Sequence, residues 1–266
     1  MYTVKEHDEW LKDCDLAIIF DVGAFKRLRG IKDAIERYDI KTMNIDHHPH
    51  PKDHPFTLNV VDTNAAATGA MIYDYLKESR EKPLSKNICE GIYTAVMTDT
   101  GSFRYSNTNT KCHEIAIECL NAGVETSKIY QRIYETKPQS SIRLLARVIE
   151  NISFENDGQL AWFSIDQNML DASDASSKDV DGFTDFVRSI RGVEVAIMFF
   201  ELNSKTTRIN FRSKGKYVIN DIAKFFDGGG HKFASGALAK KELSEIVSEV
   251  LEKTKSSIIS QNGLMK

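Results

Sequence analysis

The run Leu16-Ala17-Ile18-Ile19-Phe20 is continuously apolar, the pattern of a strand buried on both faces, and it stops on Asp21-Val22-Gly23. Residues 25–38 then place Leu28, Ile31, Ala34, Ile35 and Tyr38 at i, i+3, i+4 spacing, which predicts an amphipathic helix. A second short strand over 42–45 ends on Asp46-His47-His48-Pro49, where the proline bars further ladder pairing. Strand, helix and strand make a βαβ unit, for which a right-handed parallel crossover is the rule. Ahead of it, residues 4–15 are too polar for a core element, and Trp10 and Leu11 are their expected buried contacts. Residues 57–61 read as a further strand. Small residues from Asn64 to Gly69 open a helix to about residue 77, either for close packing on the sheet or to bring backbone N–H groups to an anion, with packing the commoner cause. Helices are expected over 86–98, with Asp99 at the end, and over 110–120 and 125–134.

The pattern changes in kind after Pro138, whose polar neighbours over 135–141 mark a boundary. Asn156-Asp157-Gly158 between apolar runs is a hairpin signal, and strands over 193–202, 206–211 and 234–239 alternate with helices near 182–190, 219–226 and 242–259. The expected organisation is an α/β domain with a parallel sheet over 1–136, a linker helix over 137–151, and a smaller α+β domain with a mixed sheet over 152–266.

At 266 residues the chain can bury a sizeable core, and a net charge of -3 with 27% charged residues gives no basic signature, so only a local patch could serve phosphates. Cys14, Cys89, Cys112 and Cys119 show no CxxC spacing and fit reduced thiols. No apolar run approaches the roughly 18 residues of a membrane span, and the amino end is not signal-like, which points to the cytoplasm with no membrane partner.

Three apolar elements thus run into polar ends: Asp21, the Asp46-His47-His48 tripeptide and Asp99. Ligands of open α/β sheets sit outside the carboxyl ends of the strands, so these ends suggest one shared site. Asp and neutral His are ligands that Zn, Mn and Fe all accept, while a solvated turn capping a strand is the bland alternative. His113 fits a capping or surface role. Downstream, Arg212-Ser213-Lys214 offers a planar fork and a hydroxyl. Gly228-Gly229-Gly230 before His231 reads as a turn that bares backbone N–H groups to an anion.

These residues resemble the DHH phosphoesterases. The motifs are Ile18-Ile19-Phe20-Asp21, Asn44-Ile45-Asp46-His47-His48-Pro49, Thr98 to Tyr105, Phe211 to Lys214 and Gly228 to Gly236, spread over nearly the whole chain. Within the family the likeness is to bacterial nano-RNases, which degrade very short RNAs and dephosphorylate adenosine 3′,5′-bisphosphate (pAp). The resemblance implies a two-ion site for Mn2+, with Mg2+ the other candidate. In that site Asp21 bridges the ions, His47 and Asp99 are ligands, Asp46 orients His47, and His48 contacts the phosphoryl group or protonates the leaving oxygen. It also implies a DHH-associated second domain whose Arg212, Ser213, Gly228, Gly229, Gly230 and His231 hold the 5′-terminal end of a short RNA or nucleotide. A different DHH specificity, for a cyclic dinucleotide or as a single-strand exonuclease, and a catalytically impaired nucleotide-binding fragment are the alternatives.

Family members begin with a loop of the form His-x-x-Pro-Asp-x-Asp-x-x-Gly-Ser, and no such sequence precedes Asp21. The resemblance therefore implies one or two missing βα units, a single-metal site at most, and a sheet edge that favours poor solubility or a homodimer.

Overall fold

The computed structural model describes residues 3–50, 53–79 and 82–264. The chain divides into a unit spanning Met1–Ile133 and a unit spanning Tyr134–Lys266. The first contains α1 (Val4–Lys12), β1 (Leu16–Phe20), a 3₁₀ turn (Phe25–Leu28), α2 (Gly30–Arg37), β2 (Lys41–Asp46), β3 (Leu58–Val61), α3 (Thr68–Ser79), α4 (Lys86–Asp99), α5 (Thr110–Asn121) and α6 (Thr126–Tyr134). Its strands form one parallel sheet in the order β1-β2-β3. The helix expected over 25–38 is broken at Arg29, whose backbone sits at φ 54°. That left-handed conformation does not continue a helix.

One core cluster of this unit lies on one face of the sheet, where Ile19 packs with Leu11, Phe25, Ala34, Ile35, Ile40 and Phe56. Period-2 alternation then decides every other side chain. Thr42, Asn44 and Asp46 point to the buried face, while Leu16, Ile18, Phe20, Leu58 and Val60 are each 40% to 53% exposed. The expectation that β1 is buried on both faces is corrected: a continuous apolar run cannot report which face is covered. Trp10, expected inside, is 66% exposed, while its neighbour Leu11 is buried.

Helices α3 and α4 meet at Gly69, where an added Cβ would lie 2.5 Å from the Ala95 Cβ. Close helix packing therefore accounts for this glycine. Cys89, Cys112 and Cys119 are buried free thiols, and burial foremost pushes the Cys119 thiol up to about 12.

The second unit holds α7 (Gln139–Glu150), β4 (Ser153–Glu155), β5 (Leu160–Ile165), α8 (Gln167–Asp171), α9 (Phe183–Arg188), β6 (Val195–Asn203), β7 (Thr206–Ser213), α10 (Asn220–Phe225), β8 (Gly229–His231), β9 (Ala234–Ala239) and α11 (Leu243–Leu264). Its mixed sheet runs β4-β5-β6-β7-β9-β8, with β5 and β6 parallel and the other pairs antiparallel. The hairpin joining β4 and β5 turns through Asn156, Asp157 and Gly158, all at positive φ.

Helix α7, expected as a connector, sends Leu144 and Val148 into the core on one face of this sheet, with Phe183 and Val187 of α9 and Ala196, Met198 and Phe200 of β6. Among the described residues that core contains none from β7, β8 or β9. The opposite face is covered by α10 and α11 over Val195, Ile197, Phe199, Ile209 and Phe211. No helix among the described residues is long and apolar enough to cross a membrane.

Candidate functional site

In the first unit the ends of β1, β2 and α4 meet. The Asp21 N–H donates to Ile45 O at 3.1 Å, which carries the parallel ladder one residue past β1. There Asp21 turns to φ 60°. His47 follows β2 and is buried, and its Nε2 lies 3.6 Å from Asp21 Oδ1 and 3.6 Å from Asp99 Oδ2. One donor atom from each of Asp21, His47 and Asp99 falls within 4.8 Å of the others, and the same holds for Asp21, Asp46 and His48. The ring of His47 is set by its other nitrogen, 3.1 Å from Ala65 O. A carbonyl can only accept, so Nδ1 carries a proton, and Nε2 is the nitrogen turned toward the two carboxylates. Two carboxylates and one imidazole nitrogen, without thiolate, are a donor set that suits a divalent cation such as Mn2+ or Zn2+.

Burial foremost raises the Asp99 carboxyl above its ordinary value, with the Asp21 charge adding to the rise and His47 opposing it. A bound cation would relieve that repulsion. Thr68, the first residue of α3 and buried, donates its hydroxyl to Asp21 Oδ1 at 3.0 Å. Asn107 donates to Ala66 O at 3.0 Å and to Asp99 O at 3.1 Å, tying the end of α4 to the segment before α3. His113 is exposed and stacks on Phe103, with ring centroids 5.3 Å apart.

The resemblance gives Asp46 the role of orienting His47; in the structure its carboxylate bonds His48 and His50. Its Oδ1 lies 2.7 Å from His48 Nδ1 and its Oδ2 2.8 Å from His50 Nε2. The alternation of β2 sends Asp46 to the buried face, where the chain, turning at Pro49, brings His48 and His50 back over it. Burial is the largest influence on the Asp46 carboxyl and works to raise it. Hydrogen bonds from His48 and His50 outweigh burial and hold it well below the usual carboxylate range. The same bond, foremost, raises His48 above its ordinary value against the effect of burial.

In the second unit the register sorts the candidate phosphate residues by face. Arg212 pairs with Ala234, and Ala234 pairs with His231, so Arg212 and His231 share one transverse row. The next row is Asn210, Gly236 and Gly229. Paired residues of antiparallel strands point to the same side, so Arg212, His231 and Gly229 face together. Ser213 belongs to the opposite face and is buried, its hydroxyl accepting from Gly215 N at 3.2 Å. Gly230 pairs with the buried Ser235 on that same side.

The glycine segment expected as a turn is instead partly an edge strand, β8. A Cβ on Gly228 would come within 2.2 Å of Gly236 O, and one on Gly230 within 2.6 Å of Ala234 O, so packing requires both glycines. Gly229 would meet nothing within 4 Å. Its bare backbone is an opening rather than a packing demand. Arg212 is held by Asp185, with Nε 3.2 Å from Oδ2.

Each unit matches a family model. Residues 2–96 match the model of the DHH family, N-terminal domain, and residues 162–259 match the DHHA1 domain. A Bacillus subtilis protein named bifunctional oligoribonuclease and PAP phosphatase NrnA is 31% identical over 241 residues, covering 89% of this chain and 74% of the relative. The chain belongs to the DHH family. A Thermus thermophilus relative of the same name is 29% identical, covering 81% of this chain and 64% of its own length. Among solved structures, an exopolyphosphatase-related protein from Bacteroides fragilis is similar at a TM-score of 0.84 and 28% identity, covering 98% of this chain and 76% of that one.

The tripeptide for which the DHH family is named is Asp46-His47-His48 in this chain, and both of its imidazoles approach Asp21 Oδ1, His47 Nε2 at 3.6 Å and His48 Nδ1 at 3.5 Å. Sequence reasoning missed Thr68 and His50. The signals were present, a Thr-Gly pair opening a helix and a third histidine four residues after Asp46, but neither names its partner.

Proposed function

We propose that this protein is a metal-dependent phosphoesterase that hydrolyses short oligoribonucleotides and pAp. The observation that carries the reading is the approach of His47 Nε2 to both Asp21 and Asp99 at 3.6 Å, with the ring held through Nδ1 by Ala65 O. Asp21, His47 and Asp99 would hold the divalent cation, for which oxygen and nitrogen donors support Mn2+. When bound, such an ion lowers the pKa of a water and neutralises charge on the phosphoryl oxygens.

The chain's own groups supply the rest. Thr68 fixes the rotamer of Asp21. His48 donates a hydrogen bond from Nδ1 to Asp46, and its rise above the ordinary value favours the ring that also carries a proton on Nε2, which would serve the leaving oxygen. Arg212, His231 and the open backbone at Gly229 form the face that would take a phosphate of the nucleotide. The names of the Bacillus subtilis and Thermus thermophilus relatives support the same substrate class. The test is turnover of pAp and of the dinucleotide pApA with Mn2+. Release of phosphate from pAp and of mononucleotide from pApA, both abolished in Asp99→Asn, is expected. Failure of both substrates with Mn2+ and with Mg2+ would overturn the proposal.

A further inference from the structure

Beside the phosphate face, the second unit contains a cavity of about 370 Å³ between the segment 177–185 and one face of β7. Arg208, Asn210 and Arg212 line it from the strand, and Lys178, Asp181 and Asp185 line it from the other side. Its volume falls within the ~300–1,000 Å³ typical of small-ligand sites and exceeds what a phosphate alone needs.

One side chain in it carries unmet hydrogen-bonding capacity, and a second faces open space. Arg208 Nε is buried and has no hydrogen-bond partner among the described residues, while the guanidinium lies over the Phe200 ring at 4.9 Å. A buried donor left unsatisfied destabilises the empty site, so a group that fills the cavity and accepts from it is favoured. Asn210 stands across from Gly236, which has no side chain to compete with the Asn210 amide for that space.

The balance of charge decides what kind of ligand fits. Asp185 engages Arg212 through Nε alone, at 3.2 Å, and Asp181 adds a second carboxylate to the wall. Deeper in the cavity these carboxylates disfavour a second anion, but they accept from exocyclic amines. A neutral heteroaromatic ring with donors and acceptors along its edge suits this mixture. Arg and Asn are the side chains that pair with purines, Arg with O6 and N7 of guanine and Asn with N6 and N7 of adenine. Arg208 and Asn210 are neighbours on one strand face, about 6.6 Å apart along β7, close enough to converge on one ring edge.

We infer that this cavity is a purine-reading subsite, in which Arg208 and Asn210 recognise the base of the nucleotide whose phosphate Arg212 takes. The inference rests on the reading of the Arg212 face as nucleotide-binding.

The experiment is calorimetric titration of the intact chain in EDTA with 5′-AMP, 5′-GMP, 5′-CMP, 5′-UMP and ribose 5-phosphate. The purine nucleotides should bind at least about tenfold tighter than the other three probes, a preference worth about 1.4 kcal/mol. Asn210→Ala and Arg208→Lys should each bring the purine nucleotides toward the pyrimidine level and leave ribose 5-phosphate unchanged. The lysine keeps the charge over Phe200 but loses the fork. Equal binding of all five probes, binding of none, or a purine preference that survives both substitutions would overturn the inference. Because the readout is binding without metal, loss of hydrolysis alone leaves it standing, and purine-blind binding leaves the proposed hydrolysis untouched.

Discussion

His48 is joined to Asp46 twice, its backbone N–H and its Nδ1 lying 3.0 Å and 2.7 Å from the same Oδ1. Both groups shift in the direction that strengthens the pair: Asp46 is held low and His48 is raised. The Asp46 contribution to stability is present above the ordinary carboxylate value of 3.8 and is lost only as pH falls through its lowered value. The His48 contribution is complete below 6.5 and is lost as pH rises through its raised value. Asp46→Asn should therefore cost about 1–3 kcal/mol near pH 5.5 and distinctly less at pH 9. Urea unfolding of both proteins in EDTA at the two pH values checks this, and a cost that grows with pH would refute it.

Thr68 reaches the candidate metal centre through Asp21. Thr68→Val keeps the shape and removes the hydroxyl, so the fold should persist while Mn2+ affinity drops about 10–100-fold. Titration followed by Mn2+ electron paramagnetic resonance measures it. Affinity in the unaltered protein should also weaken as pH is lowered from about 7 to about 5, because the raised Asp99 takes up a proton that competes with the ion.

Gly69 and Ala95 are too close for two methyl groups. Gly69→Ala should destabilise the first unit by about 1–3 kcal/mol, and adding Ala95→Gly should recover part of the loss. Thermal melts of the single and double variants give the coupling; simple additivity would show that the helices shift freely.

The three successive glycines should separate by consequence. Gly228→Ala drives a Cβ into Gly236 O and should lower the melting temperature sharply without a specific effect on substrate affinity. Gly229→Ala has open space, so stability should hold while KM for pApA rises. Arg212→Ala should raise KM by the equivalent of roughly 1.5–3 kcal/mol, the range for a charged hydrogen bond. Unchanged KM in both Gly229→Ala and Arg212→Ala would remove this face from substrate binding.

Local pattern was enough for much of the architecture. The apolar run before Asp21, the i, i+3, i+4 spacing of α4 and the Asn-Asp-Gly turn each act over a few residues, and the elements they predict are present. That Asp21, His47 and Asp99 terminate such elements was equally visible in the chain, because a side chain at the end of a strand or helix is placed by its neighbours. What needed the tertiary structure was every property that depends on facing and register. Side chains alternate with a period of two, so one step of register separates Arg212, on the open face, from Ser213, inside. The burial of β1 on a single face depends on which layers cover the sheet. The partner of Asp46 depends on how the chain after Pro49 folds back, which brings His50 to a carboxylate that the sequence alone assigns to no one. Residue types carried the candidate chemistry; long-range packing, which no local spacing encodes, decided which of those residues can touch.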